Sequence, residues 1–195
     1  MKAPVFASFL ATALGAGAAF AGNLFIDNFD NQKPRVGLPN GYTAFGTYKE
    51  IGVTAAEGSA ASKPNGAYIT LDLGSSDWGA GIAHYYGRAL DLRDAILAVQ
   101  IKSSVDMSKL QGAVAFRISD LDGTVVRTHH VDLHSTGTEF VTFFQLAKKL
   151  DFEDEPGRVP GIDLENITSI GLIFYARGDC SETVTFHFDD LRIQD

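Results

Sequence analysis

The whole chain holds one cysteine, Cys180. An internal disulfide is therefore impossible, and the usual reinforcement of small secreted domains is missing. Stability must come from the core, with or without a metal. Basic residues are also scarce: 16 Lys and Arg stand against 24 Asp and Glu, for a formal net charge of −8. Nucleic acid and anionic membrane surfaces both demand a basic face, so neither is an expected partner. No Gly-x-Ser-x-Gly elbow, phosphate loop or dinucleotide fingerprint occurs. No long amphipathic helical pattern and no internal repeat appear.

Long apolar runs are confined to the start. "MKAPVFASFLATALGAGAAFA" carries Lys2 and no acid, and Ala19-Phe20-Ala21 has the small-x-small form of a cleavage site. This is the pattern of a secretory signal peptide over residues 1–21. No later segment reaches the roughly 18 apolar residues that a membrane helix needs. The expected mature protein is exported, secreted or periplasmic, without membrane insertion, and residues 22–195 suit a single domain. The leader contains one basic residue and no acid, so its removal takes the formal charge to −9.

Strand signals fill the remainder. "NLFID", "AYITLDL", "AILAVQIKS", "GAVAFRIS", "GTVVRTHHVDL", "TEFVTFFQL", "SIGLIFYA" and "ETVTFHF" are short, rich in β-branched and aromatic residues, and separated by turn chemistry. Asn40-Gly41, Asn65-Gly66 and Asp122-Gly123 are turn signals, the last between two alternating runs and so a hairpin. Leu97, Val99 and Ile101 alternate with Ala98, Gln100 and Lys102. Val114, Phe116 and Ile118 alternate with Ala115 and Arg117, and Ile69 and Leu71 with Tyr68 and Thr70. Such alternation means one buried and one wet face per strand. The stretch from Gln145 to Asn166 reads as the longest irregular connection, with a helical turn in "QLAKKLDFEDEP" and another in "DLENIT". Many half-buried strands without crossover helices predict a two-sheet antiparallel β-sandwich, a jelly roll.

Four segments carry a resemblance. They are the opening "FIDNFD", the stretch "DWGAGIAHYY", the hairpin "FRISDLDGTVV" and the ending "ITSIGLIFYARGDCSETVTFHFDDLRI". Together they span nearly the whole mature chain, and it resembles the galactose-binding-like jelly rolls, a group with many carbohydrate-binding modules. The resemblance implies first and last strands lying side by side. It also implies a structural Ca²⁺ where they meet, with Asp27 or Asp30 at one end and Asp189, or Asp190, at the other. Ca²⁺ takes 6–8 oxygen ligands at roughly 2.3–2.6 Å, which clustered carboxylates supply. The competing reading makes these edge-strand acids that discourage pairing between sheets.

Sugars bind by stacking on aromatic rings and by hydrogen bonds from planar side chains. The candidates on the wet rows are Trp78, Tyr85, Gln100, Arg117, His129 and Tyr175, which form one polar-aromatic face in this reading. Trp78, the only tryptophan, serves equally well as a core residue, and Tyr85 and Tyr86 point to opposite faces. His129, His130 and His134 in "RTHHVDLH" spread along a strand and suit a single metal ion poorly. No carboxylate pair stands out for glycoside hydrolysis. The expected function is non-catalytic recognition of an extended polysaccharide or cell-envelope glycan. A structural or surface-associated sandwich without glycan binding is the alternative, and a small polysaccharide lyase or glycoside hydrolase the third reading.

Overall fold

A computed structural model of the chain describes residues 24–62, 64–72, 79–105, 111–128, 131–132, 139–146, 152–154, 161–177 and 183–194. The strands are β1 Leu24–Asp27, β2 Arg35–Val36, β3 Tyr42–Gly46, β4 Glu50–Thr54, β5 Gly66–Asp72, β6 Ala80–Leu90 and β7 Ile96–Ser103. They continue with β8 Gln111–Asp120, β9 Val125–Thr128, β10 Val131–Asp132, β11 Val141–Leu146, β12 Phe152–Asp154, β13 Ile167–Arg177 and β14 Thr183–Gln194. No helix occurs among the described residues. Sheet A has the order β11-β7-β14-β5-β4-β2, with β1 also on β14. Sheet B has the order β12-β9-β8-β13-β6-β3, with β10 also on β8. Every strand pairing is antiparallel. The chain is the expected all-β jelly-roll sandwich.

The core lies between the sheets, where alternation put it. Leu97, Val99 and Ile101 of β7 and Val114, Phe116 and Ile118 of β8 are all buried in one cluster. Inward Phe186 and Phe188 of β14 meet Phe174 of β13 across the sandwich. The Phe174 and Phe186 rings stack at 5.0 Å. Aromatic pairs at this spacing add to the hydrophobic gain from burial. The hairpin at Asp122-Gly123 is also as expected, with Gly123 at φ +86° and Thr124 N–H donating to Asp120 Oδ1 at 2.8 Å.

Two expectations are corrected, and the turn expected in "DLENIT" is present. The region from Gln145 to Asn166 is not wholly irregular, because β12 pairs with β9. In "DLENIT" Asn166 N–H closes one turn onto Asp163 O at 3.1 Å, and β13 begins at Ile167. Finally, β7 and β8 are consecutive in the chain but lie in different sheets. Their polar rows therefore face opposite sides of the molecule. Residues 1–21, including the expected leader, lie outside the described residues.

Candidate functional site

The outer face of sheet B carries the candidates that the structure brings together. Arg117 pairs across β13 with Gly171, which pairs with Ala83 of β6. Arg117, expected on a wet row, is in fact buried at 9% exposure. The guanidinium reaches the Phe45 ring on β3, with 4.7 Å between its carbon and the ring centroid. This is cation–π distance. Phe45 itself is laid down on a glycine: a Cβ at Gly81 would stand 2.6 Å from Phe45 Cζ. Tyr175 uses the same device on Gly79, whose added Cβ would fall 2.7 Å from Tyr175 Cδ1. Tyr175 Oη accepts a hydrogen bond from Arg127 Nη1 at 2.9 Å. Beside this group Tyr85 is 53% exposed, whereas its neighbour Tyr86 turns inward against the core, as the alternation requires.

Arg117 and Arg127 are directly opposite on β8 and β9. Like charges in that position are destabilising. The sheet accommodates them by sending one over Phe45 and the other to Tyr175. Phe45 and Arg127 were missed from sequence. Counting outward from the Asp122-Gly123 turn would have found Arg127 opposite Arg117, whereas nothing local marks Phe45.

Gln100 does not belong to this face. It lies on β7 in sheet A and donates from Nε2 to Asp190 Oδ2 at 2.8 Å. The single face that joined it to Arg117 is therefore corrected to two faces. Trp78 and His129 fall outside the described residues.

Asp189 and Asp190 lie where β14 changes partner, and Asp27 and Asp30 lie at the end of β1 and just after it. Up to Phe188 β14 pairs with β5, and from Leu191 it pairs with β1. Asp189 and Asp190 occupy the irregularity between, and Asp190 has the left-handed φ of +49°. The first and last strands thus run side by side, as the resemblance implied. Asp189 is fully buried and Asp190 nearly so. They are not exposed edge charges, and β14 is a central strand.

Each acid accepts hydrogen bonds from backbone or side-chain donors around it. Asp189 Oδ2 accepts Ser62 N–H at 2.7 Å, and Oδ1 accepts Asp190 N–H at 2.8 Å. Ser62 Oγ lies 3.1 Å from both Asp189 Oδ2 and Asp190 Oδ1. Asp27 accepts Phe29 N–H and Gln32 Nε2–H, both at 2.6 Å. Asp30 accepts Asn28 Nδ2–H at 2.8 Å and Asn65 N–H at 3.3 Å. Burial raises the Asp189 carboxyl to about 6 against these hydrogen bonds, and the Asp190 charge adds to the rise. Burial raises Asp27 as well. The acids thus form two pairs, and the connection between β4 and β5 donates to both, from Ser62 to Asp189 and from Asn65 to Asp30. Among the described residues no three His, Cys, Asp or Glu side chains form a metal-holding group.

No family model and no curated protein matches this sequence. Solved structures do match. A family 11 carbohydrate-binding module from Clostridium thermocellum, in complex with a β-1,3-1,4-mixed-linked tetrasaccharide, superposes with a TM-score of 0.60 at 16% identity over 89% of this chain and 96% of that one. The xylan-binding family 22 domain of a Paenibacillus barcinonensis protein gives 0.53 at 15%, over 91% and 97%. An exo-β-agarase gives 0.58 at 14% over 87% of this chain, which corresponds to only 25% of the agarase. These likenesses define the class: the chain has the β-sandwich fold of carbohydrate-binding modules.

Proposed function

We propose that this protein is an exported, non-catalytic module that binds an extended, uncharged polysaccharide across the outer face of sheet B. The observation that carries the reading is exposed Tyr85 on the same sheet face as the Arg117–Phe45 and Arg127–Tyr175 pairs. Rings laid flat on glycines are fixed in place before a ligand arrives, which lowers the entropy cost of binding. Similar folds that bind mixed-linked glucan and xylan support the choice of ligand class. The negative net charge disfavours polyanions, and Arg117, only 9% exposed, serves to hold the Phe45 ring in place and not as part of a basic field. Export rests on the leader pattern. No helix among the described residues is long and apolar enough to cross a membrane.

Affinity electrophoresis in gels containing mixed-linkage β-glucan, xylan, mannan, pectin or alginate tests the reading. At least one neutral polysaccharide should retard the protein, and moderate salt should not abolish the effect. Tyr85→Ala, the loss of an exposed ring, should weaken retention about tenfold while leaving the melting midpoint nearly unchanged. No retardation by any of the five would replace this reading with that of a structural sandwich protein.

Calcium at the joint of the terminal strands is part of the same proposal, with Asp189 or Asp190 and Asp27 or Asp30 as its carboxylates. Its support is the side-by-side run of β1 and β14, with Ser62 Oγ having a single proton to offer both Asp189 and Asp190. A calcium ion there would complete its shell from backbone and amide oxygens. A ligand that binds only the native state stabilises it by about 2.7 kcal/mol at a hundredfold excess over Kd. Melting in calcium should therefore occur several degrees above melting in EDTA, and coincident curves would remove calcium from the account.

A further inference from the structure

The opposite side of the sandwich has a groove of its own. On the outer face of sheet A, four strands bring Gly52, Tyr68, His187 and Lys102 into one cross-strand row. Gly52 again lets an aromatic ring lie down: its added Cβ would stand 2.7 Å from both Cε1 and Oη of Tyr68. The Tyr68 ring therefore spreads over β4 instead of projecting from the sheet. The His187 ring lies 6.3 Å away, tilted by 47°. The adjoining row holds hydroxyls. Thr70 and Thr185 meet at 2.8 Å, and Ser104 Oγ accepts Thr185 N–H at 3.0 Å. With Arg35 and Val36 at the rim, Tyr68, His187, Thr70, Thr185 and Ser104 bound a groove of about 540 Å³. That volume is within the roughly 300–1,000 Å³ that takes a small organic ligand.

The charges around this groove are already engaged within the protein. Glu50 accepts the Tyr68 hydroxyl at 2.7 Å. Arg35 donates to Asn40 Oδ1 at 2.8 Å and to Leu38 O. Burial, with Lys102 nearby, lowers the basicity of His187 and keeps it neutral at pH 7. Its Nδ1 is buried without a hydrogen-bond partner. What remains for a ligand is a flat ring face, a second ring and a line of hydroxyls, and this combination fits a neutral polyhydroxylated ring compound. We propose that the outer face of sheet A is a second saccharide-binding groove for a neutral di- or trisaccharide stretch. Tyr68 is the stacking platform, His187 the adjoining ring wall, and Thr70 and Thr185 contribute the hydrogen bonds. This site is independent of the face that holds Tyr85 and Arg117. If both bind, one molecule presents two faces and bridges two polysaccharide chains, with the avidity that linkage brings.

Titration of the ¹⁵N-labelled full protein with cellotetraose, xylotetraose and neoagarotetraose separates the two surfaces in one set of spectra. Amides of Tyr68, Thr70, Thr185 and His187 should shift with at least one saccharide. Tyr68→Ala should weaken that binding about tenfold, while Tyr68→Phe, which keeps the ring, should stay within about twofold. If Tyr68→Ala does not fold, His187→Ala carries the same test. Absence of shifts at these four amides at millimolar saccharide overturns the second groove. So do shifts that both alanine variants leave unchanged. The sheet B reading stands or falls on the amides around Tyr85 and Arg117, so failure of one site is distinguishable from failure of the other.

Discussion

Phe116→Ala should cost about 3–5 kcal/mol, the range for truncating a fully buried phenylalanine. Phe116 is fully buried on the inner face of β8, flanked on the same face by Val114 and Ile118 and paired across the strands with Leu172 of β13. A sandwich core has few ways to collapse around a missing ring, because two rigid sheets hold its walls apart. For a domain of this size the loss corresponds to a fall of roughly 10 °C in melting temperature. Urea unfolding measures it directly. Leu121→Ala provides the contrast: Leu121 sits at the hairpin tip, 70% exposed, and should change stability by less than about 0.5 kcal/mol. A Phe116→Ala loss below 1 kcal/mol would mean that the strand's phase is inverted, since a one-residue slip exchanges the two faces.

Asp189 should make stability depend on pH in a direction opposite to the common one for carboxylates. Its folded pKa of about 6 lies above the ordinary 3.8. The folded state therefore holds this proton more tightly than the unfolded chain does. The resulting penalty is absent below about pH 4, grows as pH rises, and is complete above about pH 6. Two pH units correspond to about 2–3 kcal/mol. Burial lowers the basicity of His84 and His187, and the stability they contribute is lost as pH falls through their ordinary value of 6.5. The raw pH profile mixes these opposing slopes, so the informative quantity is a difference. Asp189→Asn, compared with wild type in EDTA, should be more favourable at pH 7.5 than at pH 4 by about that 2–3 kcal/mol. A difference that does not change with pH would show that Asp189 ionises without penalty, with its loop donors compensating fully for burial. Calcium, which prefers the ionised carboxylate, should reduce the wild-type penalty at pH 7.5 if it binds at the joint.

The sequence by itself determined the strand-rich composition, the inward stripe of β7 and β8, the hairpin at Asp122-Gly123, and the separation of Tyr85 from Tyr86. All of these are local, because a period of two in hydrophobicity says which side of a strand meets the core. Periodicity does not say which sheet a strand joins. Gln100 and Arg117 both read as wet-face residues, and only the pairing of β7 with β14 and of β8 with β13 sets them on opposite sides of the molecule. Nor do β3, β4 and β6 declare themselves, since "YTAFG", "EIGVT" and "AGIAHYYGRAL" contain glycines that weaken strand propensity. Gly52 and Gly81 are placed there for reasons three-dimensional in origin, as the beds on which Tyr68 and Phe45 lie. The acids at the two ends were legible as a pair of signals, and β1 does lie beside β14. Their burial was not legible, because it arises where one strand exchanges neighbours and two distant loops need carboxylates to hold their backbone donors. Contacts between residues 127 positions apart, as in Ser62 with Asp189, are set by the closing of the sandwich and by no local preference.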